Sequence, residues 1–373
     1  MEINWPEGIN TTRFLREYWQ QKPLLIKNAF PDFESPIDEN ELAGLTLDND
    51  ANSRYMECVD GHEWRMTHGP FAEDFYDGVS GNQWSILVSD VEKLLPEFRR
   101  YLQPFRFIPD WRIDDLMISY APVGGSVGAH VDQYDVFLLQ AAGQREWQIE
   151  TTPRRRSNES TNASISLLAD FQSDSTMLLE AGDMLYLPPQ FAHHGIAKAD
   201  PCMTWSIGFR APSVDEMLPS VVSYLLEGMP DPERFADAKR HETDNPGLVE
   251  DQDFEKLRTL FRQSLKTEDK LLDIAIGRYL TETLNTEPQE ERQTTWQQLP
   301  PTLYGNSACT FAFQAAGSDA ILFCNGEAYP MSAELAQSLC NNRQVIVSDV
   351  SSDDKEAVLS LYNRHTLLDE DDS

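Results

Sequence analysis

The chain has 373 residues, of which 40% are hydrophobic, and carries a formal net charge of −32. This length predicts two or three domains with a sizeable core, and the acidic balance argues against direct binding of nucleic acid phosphates. Such a surface favours a basic partner, although it also serves solubility alone, and charge by itself does not choose between the two. We expect neither a membrane span nor a secretory leader, because no apolar segment of the required kind is present.

Three parts follow one another along the chain. Residues 1–212 are rich in strand signals and aromatic residues and hold most of the histidines. Residues 213–290 place apolar residues at spacings of three and four, which predicts amphipathic helices. Residues 291–373 mix short apolar strands with helix-forming stretches, and Ser332 is a plausible N-cap for a helix there. The five cysteines follow no disulfide or zinc-site spacing, which is typical of a reducing cytoplasm.

The segment from 114 to 134 predicts a strand, a loop and a pair of metal ligands. Residues 114–121 predict a strand, and residues 122–129 form a loop with three glycines. In an extended chain His130, Asp132 and Tyr134 point to one side. We therefore expect the histidine and the aspartate to reach one metal ion from the end of a strand.

Two later segments complete the pattern. After a turn at 141–144, a second strand would place Arg145, Trp147 and Ile149 on one face. A further predicted strand at 184–187 is followed by the sequence PPQFAHH, which ends in His193 and His194, and another strand is predicted at 202–209. Two histidines and one carboxylate suit iron(II), which keeps positions open for a cosubstrate and oxygen.

Single features of this pattern have ordinary explanations. A lone His-x-Asp pair is usually two polar residues of a strand, and a lone His193 is usually a hydrogen-bonded polar residue. The order of glycine-rich loop, His-x-Asp, strand, basic residue and later histidine is more specific. It predicts a double-stranded β-helix, in which the first and last ligands lie on neighbouring strands at one mouth of the barrel.

This order of segments resembles the JmjC-type oxygenases, and among them the bacterial ribosomal oxygenases. The matching segments are FLREYWQQKPLLI at 14–26, THGPF at 67–71, DDLMIS at 114–119, HVDQYDVF at 130–137 and WSIGFRAP at 205–212.

The resemblance implies an α+β architecture in three domains. Residues 1–212 would form a JmjC double-stranded β-helix, which is a cupin-like jelly roll. Residues 213–290 would form a helical dimerisation region, and residues 291–373 a winged-helix-like domain. A homodimer is the expected assembly.

The resemblance also assigns a metal site and a cosubstrate residue. His130, Asp132 and His193 would bind iron(II), although His194 stands where the family has an acidic or variable residue, so the two histidines can exchange roles. Arg145 would bind the distal carboxylate of 2-oxoglutarate, since a fork of donors matches a carboxylate. The ordinary alternative for Arg145 is a surface strand residue paired with an acid.

A substrate pocket follows in the same way. Asp115, Met117, Tyr134 and Ser206 resemble the family's pocket for an arginine side chain. Asp115 and Met117 share a strand face, while Met117 and Tyr134 are equally compatible with plain barrel core. Asp114 competes with Asp115, because a register error of one residue would exchange them.

The implied activity is dioxygenation with iron(II), 2-oxoglutarate and O₂ at the β-carbon of an arginine in large-subunit ribosomal protein sixteen, a basic partner in the cytoplasm. One alternative is a cupin-like metal-dependent isomerase or sensor, which would not need Arg145. Another is an oxygenase that acts on a different residue type. A third, a DNA-binding regulator using residues 291–373, is disfavoured because acids outnumber bases there.

Overall fold

The structure is a computed structural model that describes residues 1–61, 63–154, 167–227, 234–238, 247, 249–264, 268–282 and 290–369. The chain divides into two compact units, Met1–Ala211 and Pro212–Ser373. Within the described ranges, the helices are all too short or too polar to cross a bilayer.

The first unit is built mainly of strands. Its helices are α1 (Thr11–Glu17), α2 (Glu39–Leu45) and α3 (Val91–Leu94). Its strands are β1 (Leu24–Ile26), β2 (Asn52–Val59), β3 (Glu63–His68), β4 (Trp84–Ser89), β5 (Ile113–Ala121), β6 (Asp135–Ala142), β7 (Gln144–Ile149), β8 (Ser175–Glu180), β9 (Met184–Leu187), β10 (His193–Ala197) and β11 (Cys202–Phe209). The strands predicted at 114–121, 184–187 and 202–209 are confirmed.

These strands form two antiparallel sheets. The larger has the order β1-β9-β6-β11-β5-β4-β2-β3, and the smaller has the order β10-β7-β8. Apolar side chains from β6 and β9 of the large sheet form one buried cluster with side chains from β7 and β8 of the small sheet. The two sheets are therefore packed face to face, as a jelly roll requires.

Strand β6 shows why the sheet lies where it does. Its residues 135–141 are all buried. Val136 and Leu138 face the cluster between the sheets, whereas Phe137 and Leu139 face a second core that contains Phe14. A strand covered on both faces needs a continuous apolar run rather than alternation. Each such side chain contributes roughly 1.5–3 kcal/mol of burial free energy.

A buried carboxylate at the start of β6 joins the N-terminal segment to the barrel. Asp135 has no exposed surface. It accepts hydrogen bonds from the Tyr186 hydroxyl (2.6 Å) and from Gln20 Nε2 (2.9 Å), and Arg112 Nη2 lies 3.5 Å away. These donors come from three separate segments, so the carboxylate fixes the position at which β6 begins.

The second unit contains helices followed by two small sheets. Its helices are α4 (Val214–Glu227), α5 (Asp251–Ser264), α6 (Asp269–Leu280), α7 (Ala333–Asn342) and α8 (Lys355–Asn363). Its strands are β12 (Thr302–Gly305), β13 (Phe311–Ala316), β14 (Asp319–Cys324), β15 (Glu327–Ser332), β16 (Gln344–Ile346) and β17 (Leu367–Leu368).

The sheets of the second unit have the orders β13-β14-β15 and β16-β12-β17. One buried cluster that includes Leu303, Leu322, Leu339 and Val358 joins both sheets to α7 and α8. The predicted helix start is confirmed, because Ser332 caps α7 and its hydroxyl accepts the Leu335 N–H.

Candidate metal centre

His130 and His193 come from segments that pair with each other. His193 is the first residue of β10. His130 precedes β6 and forms antiparallel bridges with Leu167 and His193. His130 and Asp132 lie at the end of a strand, in the segment directly before β6, which begins at Asp135. The buried Asp135 fixes that starting point, and the two ligands are carried by the segment in front of it.

The three side chains predicted as ligands converge. His130 Nε2 lies 3.9 Å from Asp132 Oδ1, and His193 Nε2 lies 3.6 Å from Asp132 Oδ2. One ligand atom from each residue lies within 4.8 Å of the other two. His193 is buried, whereas His130 and Asp132 are half-buried, so the cluster is open on one side.

Backbone carbonyls orient both imidazoles. His130 Nδ1 lies 3.0 Å from the Gly128 carbonyl oxygen, and His193 Nδ1 lies 3.0 Å from that of Phe191. Carbonyls only accept, so Nδ1 is the protonated nitrogen and the Nε2 lone pair faces the cluster. Burial and the neighbouring His130 lower the pKa of His193 to about 4, which keeps it neutral. This donor set fits iron(II) with coordination positions left for other ligands.

His194 lies outside the cluster. Successive residues of a strand point to opposite faces. The His194 ring contacts Phe171, with 6.1 Å between ring centroids, and the side chain is half-buried. The geometry therefore places His193, and not His194, with His130 and Asp132.

Arg145 is a buried cation on the small sheet. It lies on β7 opposite Ala197 of β10 and is 3% exposed. Its Nε and Nη2 have no hydrogen-bond partner among the described residues. Its guanidinium carbon lies 5.8 Å from the centroid of the Trp147 ring. A buried unpaired charge is costly, so this position fits a residue that receives an anionic ligand and excludes the surface-strand alternative.

The predicted pocket residues adjoin one another on β5, on β11 and in front of β6. Met117 of β5 pairs directly with Ser206 of β11. A Cβ added to Gly208 would lie 3.0 Å from Asp115 Oδ1 and 3.9 Å from Tyr134 Cε2, so these two side chains meet above that glycine. Tyr134 is 41% exposed, which argues against a simple core role.

The two neighbouring aspartates have different surroundings. Asp114 is exposed and pairs with Arg210 at 3.9 Å. Asp115 is half-buried. Desolvation, and to a smaller extent the negative charge of Asp114, raises the pKa of Asp115 to about 7. Of the two carboxylates, Asp115 is therefore the one beside Tyr134 and Gly208, and a cationic group next to it would favour its charged form.

Arg54 of β2 lies beside Met117 and was not predicted as a neighbour of these residues. Its Nη2 lies 3.3 Å from Met117 Sδ and 3.1 Å from Ser89 Oγ. Met117 packs in an apolar cluster with Met56 and Leu87. No local motif distinguishes Arg54, because its contact with Met117 arises only when β2, β4 and β5 pair.

Comparison with known proteins agrees with this geometry. A family model described as JmjC domain matches residues 100–217. The chain is 36% identical over 260 residues to the ribosomal protein uL16 3-hydroxylase of Escherichia coli (strain K12), covering 70% of this chain and 67% of that protein. It is 35% identical over 227 residues to a probable ribosomal oxygenase of Haemophilus influenzae, covering 61% of this chain and 56% of that protein.

Solved structures extend the likeness to the whole chain. The X-ray structure of E. coli ycfD matches with a TM-score of 0.79 and 28% identity, covering 99% of this chain and 100% of that one. The E. coli ribosomal oxygenase YcfD in complex with cobalt and 2-oxoglutarate matches with a TM-score of 0.76 and 27% identity, covering 99% of both chains. The predicted JmjC and cupin-type fold is confirmed. The chain therefore belongs to the JmjC-type ribosomal oxygenases, which are iron(II)- and 2-oxoglutarate-dependent dioxygenases.

Proposed function

We propose that this protein hydroxylates the β-carbon of an arginine in large-subunit ribosomal protein uL16. The observation that carries the oxygenase chemistry is a His-Asp-His cluster in the same barrel as a buried arginine whose Nε and Nη2 have no hydrogen-bond partner in the described part of the chain. The choice of substrate is supported by the E. coli relative, which is named a ribosomal protein uL16 3-hydroxylase.

His130, Asp132 and His193 would hold the iron through two Nε2 atoms and one carboxylate oxygen. When bound, iron(II) and 2-oxoglutarate use O₂ to convert the keto acid to succinate and carbon dioxide and to place one oxygen atom in a C–H bond. The protein's task is to bind, orient and exclude water. The Nδ1 contacts with Gly128 and Phe191 support this assignment, because they leave both Nε2 lone pairs for the metal.

Arg145 would bind the distal carboxylate of 2-oxoglutarate. Its planar fork of donors suits a bidentate pair with a carboxylate. The absence of any partner for Nε and Nη2 among the described residues supports this role, since the ligand would satisfy both atoms.

The substrate arginine would lie along β5 and β11. Asp115 would accept hydrogen bonds from the guanidinium, and Met117 would pack on the aliphatic stem. Tyr134 would stack against the side chain, and the Ser206 hydroxyl would add a polar contact. The side chain is thereby held at both ends, which fixes the C–H bond presented to the metal.

We also propose that the chain is organised as domains 1–212, 213–290 and 291–373, with the middle region as a dimerisation region and the last as a winged-helix-like domain. Exposed apolar side chains on α5 support an association surface there; they are Phe254, Leu257 and Phe261. Two small sheets and the helices α7 and α8 around one core support the winged-helix-like assignment.

The expected partner is a basic ribosomal protein in the cytoplasm, with no direct contact with nucleic acid or membrane. The net charge of −32 favours encounter with a basic protein and opposes binding to phosphates. The five cysteines are free, which is consistent with a reducing compartment.

Incubation with uL16 tests the proposal. Free uL16 should gain the mass of one oxygen atom when iron(II), 2-oxoglutarate and O₂ are present, and fragmentation should place it on the β-carbon of an arginine. The Asp132→Ala variant should leave the mass unchanged. Intact-mass analysis of ribosomal proteins from a deletion strain should then show one protein lighter by one oxygen atom. If another residue type carries the oxygen, the arginine assignment is wrong.

A further inference from the structure

A β-bulge lies at the pocket aspartate. In the pairing of β5 with β11, Leu116 faces Ile207, but the next pair toward the start of β5 is Ile113 with Phe209. Asp114 and Asp115 therefore stand opposite the single residue Gly208. Bulges re-aim side chains and are frequent beside active sites. This one determines the direction in which Asp115 points.

On the edge of β5 that pairs with β4, a side chain accepts a backbone hydrogen bond next to the bulge. The pairing of β4 with β5 ends at Val88 and Ile118, and Leu116 lies two residues beyond it. The Leu116 N–H donates to Glu92 Oε2 at 2.9 Å. Glu92 is carried by α3, which follows β4 directly, and is 3% exposed. A carboxylate thus takes the place of a strand partner beside the bulge.

Gly208 completes the arrangement. A Cβ at this position would lie 3.0 Å from Asp115 Oδ1, which is closer than side chains normally approach. The Asp115 carboxylate therefore rests over bare backbone and meets Tyr134 there. Any shift of the bulged backbone of β5 would move this carboxylate along β11.

We propose that Glu92 is a positioning residue for recognition of the cationic substrate side chain. By accepting the Leu116 N–H, it fixes the bulge and so sets where the Asp115 carboxylate lies. This inference rests on the proposed function, because it assigns Asp115 to the substrate. Glu92 itself does not contact the substrate. It acts through the backbone of the residue that follows Asp115.

An alternative role for Glu92 is purely electrostatic. The Glu92 carboxylate contributes to the raised pKa of Asp115, after burial and Asp114. If that charge were the main effect, glutamine and alanine at position 92 would behave alike. If hydrogen bonding is the main effect, glutamine keeps an acceptor for the Leu116 N–H and preserves the site.

Steady-state kinetics with a uL16 peptide separate these roles. We expect Glu92→Ala to raise the peptide KM about tenfold, with kcat and the KM for 2-oxoglutarate changed by less than about twofold. Glu92→Gln should remain within about twofold of the wild type. The control is Glu97→Ala, which removes an exposed carboxylate nearby and should match the wild type.

The outcomes are distinct. An unchanged peptide KM in Glu92→Ala, or an equal rise in Glu92→Ala and Glu92→Gln, overturns the positioning role. If Glu92→Ala does not fold, Gly208→Ala serves instead, since its Cβ would displace the Asp115 carboxylate, and a wild-type peptide KM in that variant overturns the inference. If the wild type leaves the peptide unmodified while it still converts 2-oxoglutarate to succinate, the proposed substrate is wrong and this inference falls with it.

Discussion

His130 and His193 each donate a backbone N–H to the other's carbonyl oxygen at 3.0 Å, and their ring centroids lie 4.3 Å apart. The two imidazoles are therefore positioned by paired backbone and not by mobile loops. A third backbone bond, from Gln190 N–H to the Asp132 carbonyl at 2.7 Å, holds the acidic residue against the same region. Backbone pairing of this kind fixes the spacing of the three ligands, which favours affinity for a metal ion.

The metal-ligand assignment is tested by single substitutions. We expect His193→Ala and Asp132→Ala each to lower hydroxylation at least about a hundredfold, because two remaining ligands hold iron(II) weakly. Titration with cobalt(II), followed by its absorption spectrum, should show the same loss. His194→Ala is the matched control and should retain both properties. Loss of metal binding in His194→Ala with retention in His193→Ala would reverse the assignment.

Arg145 should lower the stability of the cosubstrate-free protein while it strengthens binding of 2-oxoglutarate. Arg145→Met removes a buried cation whose Nε and Nη2 lack partners among the described residues, so the free energy of unfolding without cosubstrate should rise by about 1 kcal/mol. The KM for 2-oxoglutarate should rise at least about tenfold, because the charge-assisted pair is lost. Urea unfolding and kinetics measure the two effects.

2-Oxoglutarate itself provides the control for Arg145. A ligand that binds only the folded state raises the melting temperature. The metal-loaded wild type should show this rise and Arg145→Met should not. An equal rise in both proteins would remove Arg145 from the cosubstrate site.

Protonation of Asp115 should make kcat/KM fall at acidic pH. Burial and the Asp114 carboxylate raise the pKa of Asp115 to about 7, so below that pH it is mostly neutral and cannot pair with a guanidinium, which stays charged throughout. We expect kcat/KM for an arginine peptide to fall as the pH drops through about 7. Asp115→Asn should lower kcat/KM at high pH and abolish the fall in kcat/KM toward low pH. Identical pH profiles for the two proteins would contradict the assignment.

Gly195 should be required for the shape of the site. Its position on β10 faces Trp147, and an added Cβ would lie 2.7 Å from two atoms of the indole ring. Gly195→Ala should therefore destabilise the fold by ~1–3 kcal/mol through overpacking. Because His193 lies two residues away, cobalt(II) affinity should fall as well. Unfolding in urea and metal titration would show whether the two losses occur together.

The apolar face of α5 gives a test of the dimer. Phe254, Leu257 and Phe261 are 47%, 42% and 65% exposed and recur at helical spacing on one side. The double variant Leu257→Asp and Phe261→Asp should elute with the mass of a single chain in light scattering, whereas the wild type should have twice that mass. Gln252→Asp, on the opposite face, should remain dimeric. A monomeric wild type would end this proposal.

Local sequence predicted the strands of the site well. Residues 184–187 and 202–209 are apolar runs bounded by turn residues, and the structure has strands with those same limits. The alternation of Arg145, Trp147 and Ile149 also held, because period-two burial is set within a single strand. The fold was predicted from the order of these segments and iron(II) from the donor set, whereas 2-oxoglutarate was implied by the resemblance to the family.

Features that depend on pairing between distant segments were not predictable. The bulge at Asp114 and Asp115 requires the register of β11, and nothing near these residues signals it. Arg54 meets Met117 across 63 residues of sequence. His130 and Asp132 were expected at the end of a strand, but the residue at which β6 begins was not predictable, since the hydrogen bonds of Asp135 come from outside the segment.

The hydrogen bonds to Asp135 connect residues outside the metal site to the backbone that carries a ligand. Gln20 and Arg112 both reach this buried carboxylate, which lies three residues after Asp132. A substitution at either donor would leave part of that negative charge uncompensated and loosen the backbone that carries the acidic ligand. A substitution in the N-terminal segment, such as at Gln20, would therefore weaken metal binding through its effect on Asp135. Relatives with identical ligands are expected to differ in how tightly they retain their metal.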